Sequence, residues 1–208
     1  MRLILASASP RRADLLRAAG FEFETVVTDV DERVRAGESP EIYVRRVAAE
    51  KSAAAQSRSA KASRSTTTNA AAPDGSRGFT RAAADVAIYL AADTAVVIDG
   101  EILGKPRDDA EARAMIRRLA GRRHDVLTGV SLRRNAEEVG RVETTAVYVA
   151  AMPDEQVAWY VGSGEGRDKA GAYAIQGLAS RFVTRIEGSY SNVVGLPVAT
   201  VVELLGLI

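Results

Sequence analysis

The chain has 208 residues, enough for one domain with a sizeable core or for two small lobes that share a cleft. Its 28 Lys and Arg nearly balance 27 Asp and Glu, so a net charge of +1 gives no global attraction to nucleic acid or to an anionic membrane. With no cysteine and one histidine, disulfides and thiolate chemistry are excluded. A histidine zinc site or a Ser-His-Asp triad is improbable, which leaves any catalysis to carboxylates, lysines, arginines and a hard metal ion.

The first apolar run, residues 3–6, reads as a short buried strand, too brief for a signal peptide or a membrane span, so the expected location is cytoplasmic. Ser9 is a good helix N-cap and Pro10 suits the first helical position, with Leu15 and Leu16 on the apolar face and Gly20 closing the helix. Arg11 and Arg12 then stand at the positive end of the helix dipole, an unfavourable place for cations unless an anion binds there or nearby acids pair with them. Residues 21–27 form a candidate second strand. Ser39 and Pro40 repeat the cap logic before a second helix, with Tyr43, Val47 and Ala54 along one face and Lys51 near its far end. From about residue 57 to 81 the composition turns to Ala, Ser, Thr and Arg, which predicts a disordered insertion.

Order resumes with two apolar runs joined through Asp93 and Thr94, which places Asp93 at a strand end, where a carboxylate can serve a metal, activate water or cap a turn. Asp99-Gly100 reads as a tight hairpin turn. Lys105 follows two glycines, but the G-x-x-x-x-G-K-[ST] spacing is absent and Pro106 comes next, so a Walker-type loop is rejected and Lys105 is left as a single charge near a phosphate or at a surface turn. Asp108 or Asp109 caps a helix with Ala112, Met115, Ile116 and Leu119 inside. A strand pair turning near Asn135 follows, then a helix after Met152, another strand, and a last helix beginning near Pro197. His124 reads as a hydrogen-bonding residue at a strand start, the stretch with Gly171, Tyr173, Gln176 and Gly177 as a structural loop, and Asn192 and Gly195 as a tight turn serving packing and cleft shape. Hairpins between alternating strands and helices predict a mixed sheet.

In order along the chain, "LASASPRRADLL", "YVRRVAAEKS", "AADTAVVIDGEILGKP", "HDVLTGVSL", "DKAGAYAIQG" and "IEGSYSNVVGLP" resemble the Maf family of nucleoside triphosphate pyrophosphatases. The resemblance implies a single α/β catalytic domain over 1–208, a mixed twisted sheet with flanking helices and two lobes around a central cleft. It also implies hydrolysis of a nucleoside triphosphate to monophosphate and pyrophosphate with a divalent cation, Mg²⁺ or Mn²⁺. Carried over by motif, the general base falls on Asp93, the phosphate-binding residues on Ser7, Arg12, Lys51 and Lys105, and the metal on Glu32 and Asp93. The "AGAYAIQG" segment is similar to the branch acting on dTTP and UTP, whose selectivity maps to Arg11, Thr94 and Gln176. Resembling proteins are usually homodimers. The family's association with septum formation supplies the rival reading, a nucleotide-binding regulator of cell division with little turnover.

Overall fold

The Val-, Ile- and Ala-rich run before the Asp99-Gly100 turn forms one unbroken strand, and the fold is built around it. The structure, a computed structural model, describes residues 2–67 and 86–208. Strand β1 (Arg2–Ala6) leads into helix α1 (Pro10–Ala18), β2 (Glu24–Val26) and the long α2 (Pro40–Thr67). The central strand β3 (Ala87–Ile98) turns through Asp99 and Gly100, both at positive φ, into the short β4 (Glu101–Leu103). After α3 (Asp109–Leu119) come the hairpin strands β5 (Arg123–Arg134) and β6 (Glu137–Val149), α4 (Asp154–Gly162), two 3₁₀ turns, β7 (Val183–Glu187), α5 (Tyr190–Val194) and α6 (Val198–Leu205). Among the described residues no helix is long and apolar enough to cross a membrane.

The strands make one seven-stranded mixed sheet in the order β2-β1-β3-β5-β6-β7, with β4 pairing β3. β1 runs parallel to β2 and β3, and the other pairings are antiparallel. The mixed α/β expectation therefore holds, as do the turns at Asp99 and Asn135. The Asp108 cap, which accepts from the Glu111 amide, and the four buried residues of α3 also fall where expected.

Several local expectations need correction. Asp93 and Thr94 do not join two strands. They sit in the middle of β3, because the apolar runs on either side are two halves of one strand buried on both faces. Ser9 occupies the N-cap position of α1, but its side chain makes no capping bond; instead the Ser7 hydroxyl accepts from the Ser9 amide at 3.1 Å. On α2 the inward face continues through Ala55, not Ala54, in step with Tyr43, Val44, Val47 and Ala48. The same helix runs on to Thr67, into the segment expected to begin an insertion, where Ala, Arg and Lys are strong helix formers. The rest of that segment lies outside the described residues.

Successive residues of β3 face opposite sides of the sheet. On one side Ile88, Leu90 and Ala92 pack with β1, α1 and α6, while Val96 and Ile98 pack with α3 and α4. On the other, Tyr89 and Ala91 belong to one cluster around α2 and Ala95 and Val97 to another. The core thus divides on both faces at the same place, Asp93 and Thr94.

The ladder divides there too. Towards β5, β3 is paired without interruption from Tyr89 to Val97. Towards its other neighbours it pairs with β1 over residues 87–90 and with β4 over 96–98. Between them is a window in the sheet, level with Asp93 and Thr94. β1 points its C-terminal end into this window, followed by Ser7 and α1, and β4 sends Gly104 and Lys105 in from the opposite end. Gly129, the register partner of Asp93, lets α2 lie directly on the sheet: a Cβ there would come within 2.3 Å of the Val44 carbonyl oxygen.

Candidate active site

On the α2 side of the window the site is a line of opposite charges. Asp93, buried in β3, accepts a hydrogen bond from Lys51 Nζ at 2.7 Å. The same nitrogen reaches Glu32 Oε1 at 2.6 Å, so one ammonium joins two carboxylates. Lys51 is itself buried, and a buried ammonium is retained only where partners compensate its desolvation. Burial opposes the ionisation of Glu32, but the hydrogen bond and charge of Lys51, with more distant help from Lys105 and Arg12, hold its carboxyl below the usual range. Tyr43 donates to the Glu32 carbonyl at 3.1 Å, and its own burial, reinforced by the charges of Asp93 and Glu32, pushes its phenol up, so it stays a donor.

On the opposite face the partners are neutral. Arg12 donates through Nε to the Gly195 carbonyl at 2.7 Å, through Nη2 to Thr94 Oγ1 at 3.1 Å and, at 3.5 Å, through Nη1 to Ser7 Oγ. Thr94 Oγ1 lies 2.9 Å from Thr128 Oγ1, its register partner on β5, which in turn donates to the Asn192 carbonyl at 3.3 Å. Among the described residues Arg12 has no carboxylate at ion-pair distance. Burial therefore lowers its pKa, offset only in part by the charges of Asp93 and Glu32 and reinforced by its neighbour Arg11. Gly195, at φ 122, is where this contact is made possible: its backbone conformation is one that side chains rarely adopt.

The structure brings together Ser7, Arg12, Glu32, Lys51, Asp93 and Thr94. Lys105 is exposed at the window's edge, close enough for its charge to act on Glu32. Arg11 is half-buried beside Arg12, and its charge acts on Asp168. Gln176 stays outside the hydrogen-bonded cluster, exposed in a turn; Glu165 holds the backbone just after it, accepting from the Leu178 amide at 2.6 Å and the Ala179 amide at 3.2 Å. His124 is buried at the second position of β5 and bonds Tyr173, as a strand-start histidine with a structural partner should. Thr128 and the Gly195 carbonyl are participants that sequence reasoning missed. The first was one polar residue among several along its strand, with nothing to single it out, and the second is backbone, which composition does not mark.

Glu32, from an irregular segment, and Asp93, from β3, converge on one point, the Lys51 ammonium. Among the described residues no group of three or more His, Asp or Glu side chains could hold a metal ion by itself, and Mg²⁺ bound by only one or two carboxylates takes its remaining ligands from substrate phosphates and water.

Fold and site together define a class: a mixed-sheet α/β protein whose central strand opens onto a lysine-bridged carboxylate pair and an arginine that, among the described residues, has no carboxylate at ion-pair distance, which is equipment for a polyanion. The chain belongs to the Maf family, whose model, described as Maf-like protein, matches residues 2–208. It is 47% identical to a dTTP/UTP pyrophosphatase of Anaeromyxobacter dehalogenans (strain 2CP-C), over 98% of this chain and 92% of that protein. A dTTP/UTP pyrophosphatase of Symbiobacterium thermophilum is 45% identical, over 98% and 92%. One of Myxococcus xanthus (strain DK1622) is 44% identical, over 98% and 90%.

Proposed function

We propose that this protein hydrolyses dTTP and UTP to the nucleoside monophosphate and pyrophosphate. The observation that carries the reading is the buried Lys51–Asp93 pair beside an arginine held by neutral groups, with no acidic partner among the described residues, in a chain 44–47% identical over nearly its whole length to proteins bearing that name.

Phosphoryl transfer is largely positioning and charge neutralisation. Arg12, fixed by Gly195, Thr94 and Ser7, and Lys105 at the window's edge receive the phosphate chain. Lys51 has a third N–H beyond those that serve Asp93 and Glu32, and it can reach a phosphate oxygen. Asp93 takes a proton from the water that attacks the α-phosphorus. The new P–O bond forms on that water as the bond to the bridging oxygen of the β-phosphate breaks, and pyrophosphate leaves against Arg12 and Lys105. Glu32 and Asp93 are the residues that would hold a divalent cation, which would supply further neutralisation of phosphate charge. Arg11, Thr94 and Gln176 choose the base, with Gln176 presenting an amide donor and acceptor to a pyrimidine edge.

The test is pyrophosphate release across a panel of pyrimidine and purine triphosphates. Turnover fastest on dTTP and UTP is expected. Tight nucleotide binding without pyrophosphate release would replace this reading with that of a nucleotide-binding regulator.

A further inference from the structure

The residues around Glu32 belong to no strand or helix, so something else must hold that carboxylate against Lys51. The holding groups come from α2. Arg46 donates through Nη2 to the Arg33 carbonyl at 3.0 Å and through Nη1 to the Asp31 carbonyl at 3.4 Å. Tyr43, one turn earlier on the same face, takes the carbonyl between them, that of Glu32. Three consecutive carbonyls are thus gripped by two side chains.

Arg46 is itself fixed. Its Nε and Nη2 meet the two oxygens of Glu38 at 2.6 and 2.9 Å, and Nη1 meets Glu50 at 3.2 Å. The side chains of Arg46 and Glu38 are only 12% and 5% exposed, so this fork is shielded from the screening that makes surface ion pairs weak. Glu38 also accepts from the Arg35 amide at 3.0 Å, which closes the segment from its far end. A lysine could not do this work, since the guanidinium serves two carboxylates and two carbonyls at once through a planar array of donors.

We propose that Arg46 is a positioning residue for the reaction: with Tyr43 and Glu38 it fixes the backbone at residues 31–33 so that the Glu32 carboxylate meets Lys51, the ammonium that also bonds Asp93. This rests on the pyrophosphatase reading above. It makes α2 the source both of the lysine and of the hold on the carboxylate that the lysine meets.

The test is a double-mutant cycle on pyrophosphate release from UTP, with R46K, E32Q and R46K/E32Q, and with E38Q as a second way to break the fork. R46K and E38Q each lower kcat about tenfold or more while KM moves less than about threefold, the pattern of a misplaced group and not of lost substrate binding. In the E32Q background R46K removes less than about a further twofold, because its effect passes through Glu32. Hydrogen exchange of amides 31–34 accelerates in R46K while that of β3 does not change. An equal loss in both backgrounds, or unchanged exchange at 31–34, overturns the role. If R46K does not fold, E38Q and E38Q/E32Q give the same cycle. A wild type active on UTP with an E32Q variant equally active overturns the positioning role alone. A wild type inactive on every triphosphate overturns the pyrophosphatase reading and this role with it.

Discussion

The two faces of β3 at the window are built on opposite electrostatic plans. On the α2 face one ammonium, that of Lys51, meets two carboxylates, Asp93 and Glu32, within hydrogen-bond distance, so opposite charges face one another there and one negative charge is left over. On the other, one residue along the strand, Arg12 is surrounded by a carbonyl and hydroxyls that orient it and leave its charge uncancelled. The two plans suit different tasks. A lysine-bridged carboxylate pair is suited to moving a proton and gathering a cation, and an uncompensated guanidinium is suited to receiving an anion. The alternation of a β-strand is what lets adjacent residues belong to such different environments.

Four substitutions test that division, from the largest expected effect on turnover to the smallest. Asp93→Asn strikes the carboxylate side: pyrophosphate release falls by roughly two orders of magnitude or more, the scale of a lost general base, while nucleotide binding measured by calorimetry persists. Near wild-type turnover would remove Asp93 from that role. Arg12→Lys strikes the other side. It keeps the charge and loses the fork, and kcat/KM falls about ten- to a hundredfold, with KM rising as well because the ground-state phosphates lose a contact. A fall in kcat alone would mean that Arg12 does not bind the substrate's ground state.

Gln176→Ala lies off both faces and separates selection from chemistry: the preference for UTP over purine triphosphates shrinks about tenfold, with a smaller loss on UTP itself. An equal loss on every nucleotide would take Gln176 out of base reading. His124→Gln should leave turnover nearly unchanged and alter only the acid limb of stability. Burial, helped by the charge of Arg123, holds the His124 pKa down at about 4, so the unfolded chain takes up a proton that the folded one refuses as pH drops below the ordinary histidine value. In the wild type this removes on the order of 2 kcal/mol of stability between pH 7 and pH 5, read from urea midpoints, and the variant loses that much less. The same pH slope in both proteins would refute it.

The local rules that sequence obeys openly were legible in it: the Asp99-Gly100 turn, the Asp108 cap, the buried stripe of α3, and the mixed character of the sheet. Asp93 was recognisable as a candidate, but its position was misread, because a strand buried on both faces carries no alternation to show that two apolar runs are one. The window in the sheet was not legible at all. It arises from where β1 and β4 stop, and strand ends on separate parts of the chain leave no joint mark in sequence. The Arg12 environment was hidden for a related reason, since one of its three partners is a backbone carbonyl, supplied by a turn far along the chain. The arginine pair at the helix start did announce itself, as a local conflict with the dipole.

Gly129 gives the window a mechanical side. The absent side chain there lets the backbone of α2 rest on the strand that neighbours Asp93, and a single methyl group would have to displace the carbonyl of Val44 or the amide of Arg45. Because Tyr43, Arg46 and Lys51 all ride on that helix, it behaves as a lever seated on a pivot with no padding. Raising the pivot by an ångström shifts every group the lever carries relative to β3, so position 129 can silence the enzyme without any residue that meets the nucleotide having been altered.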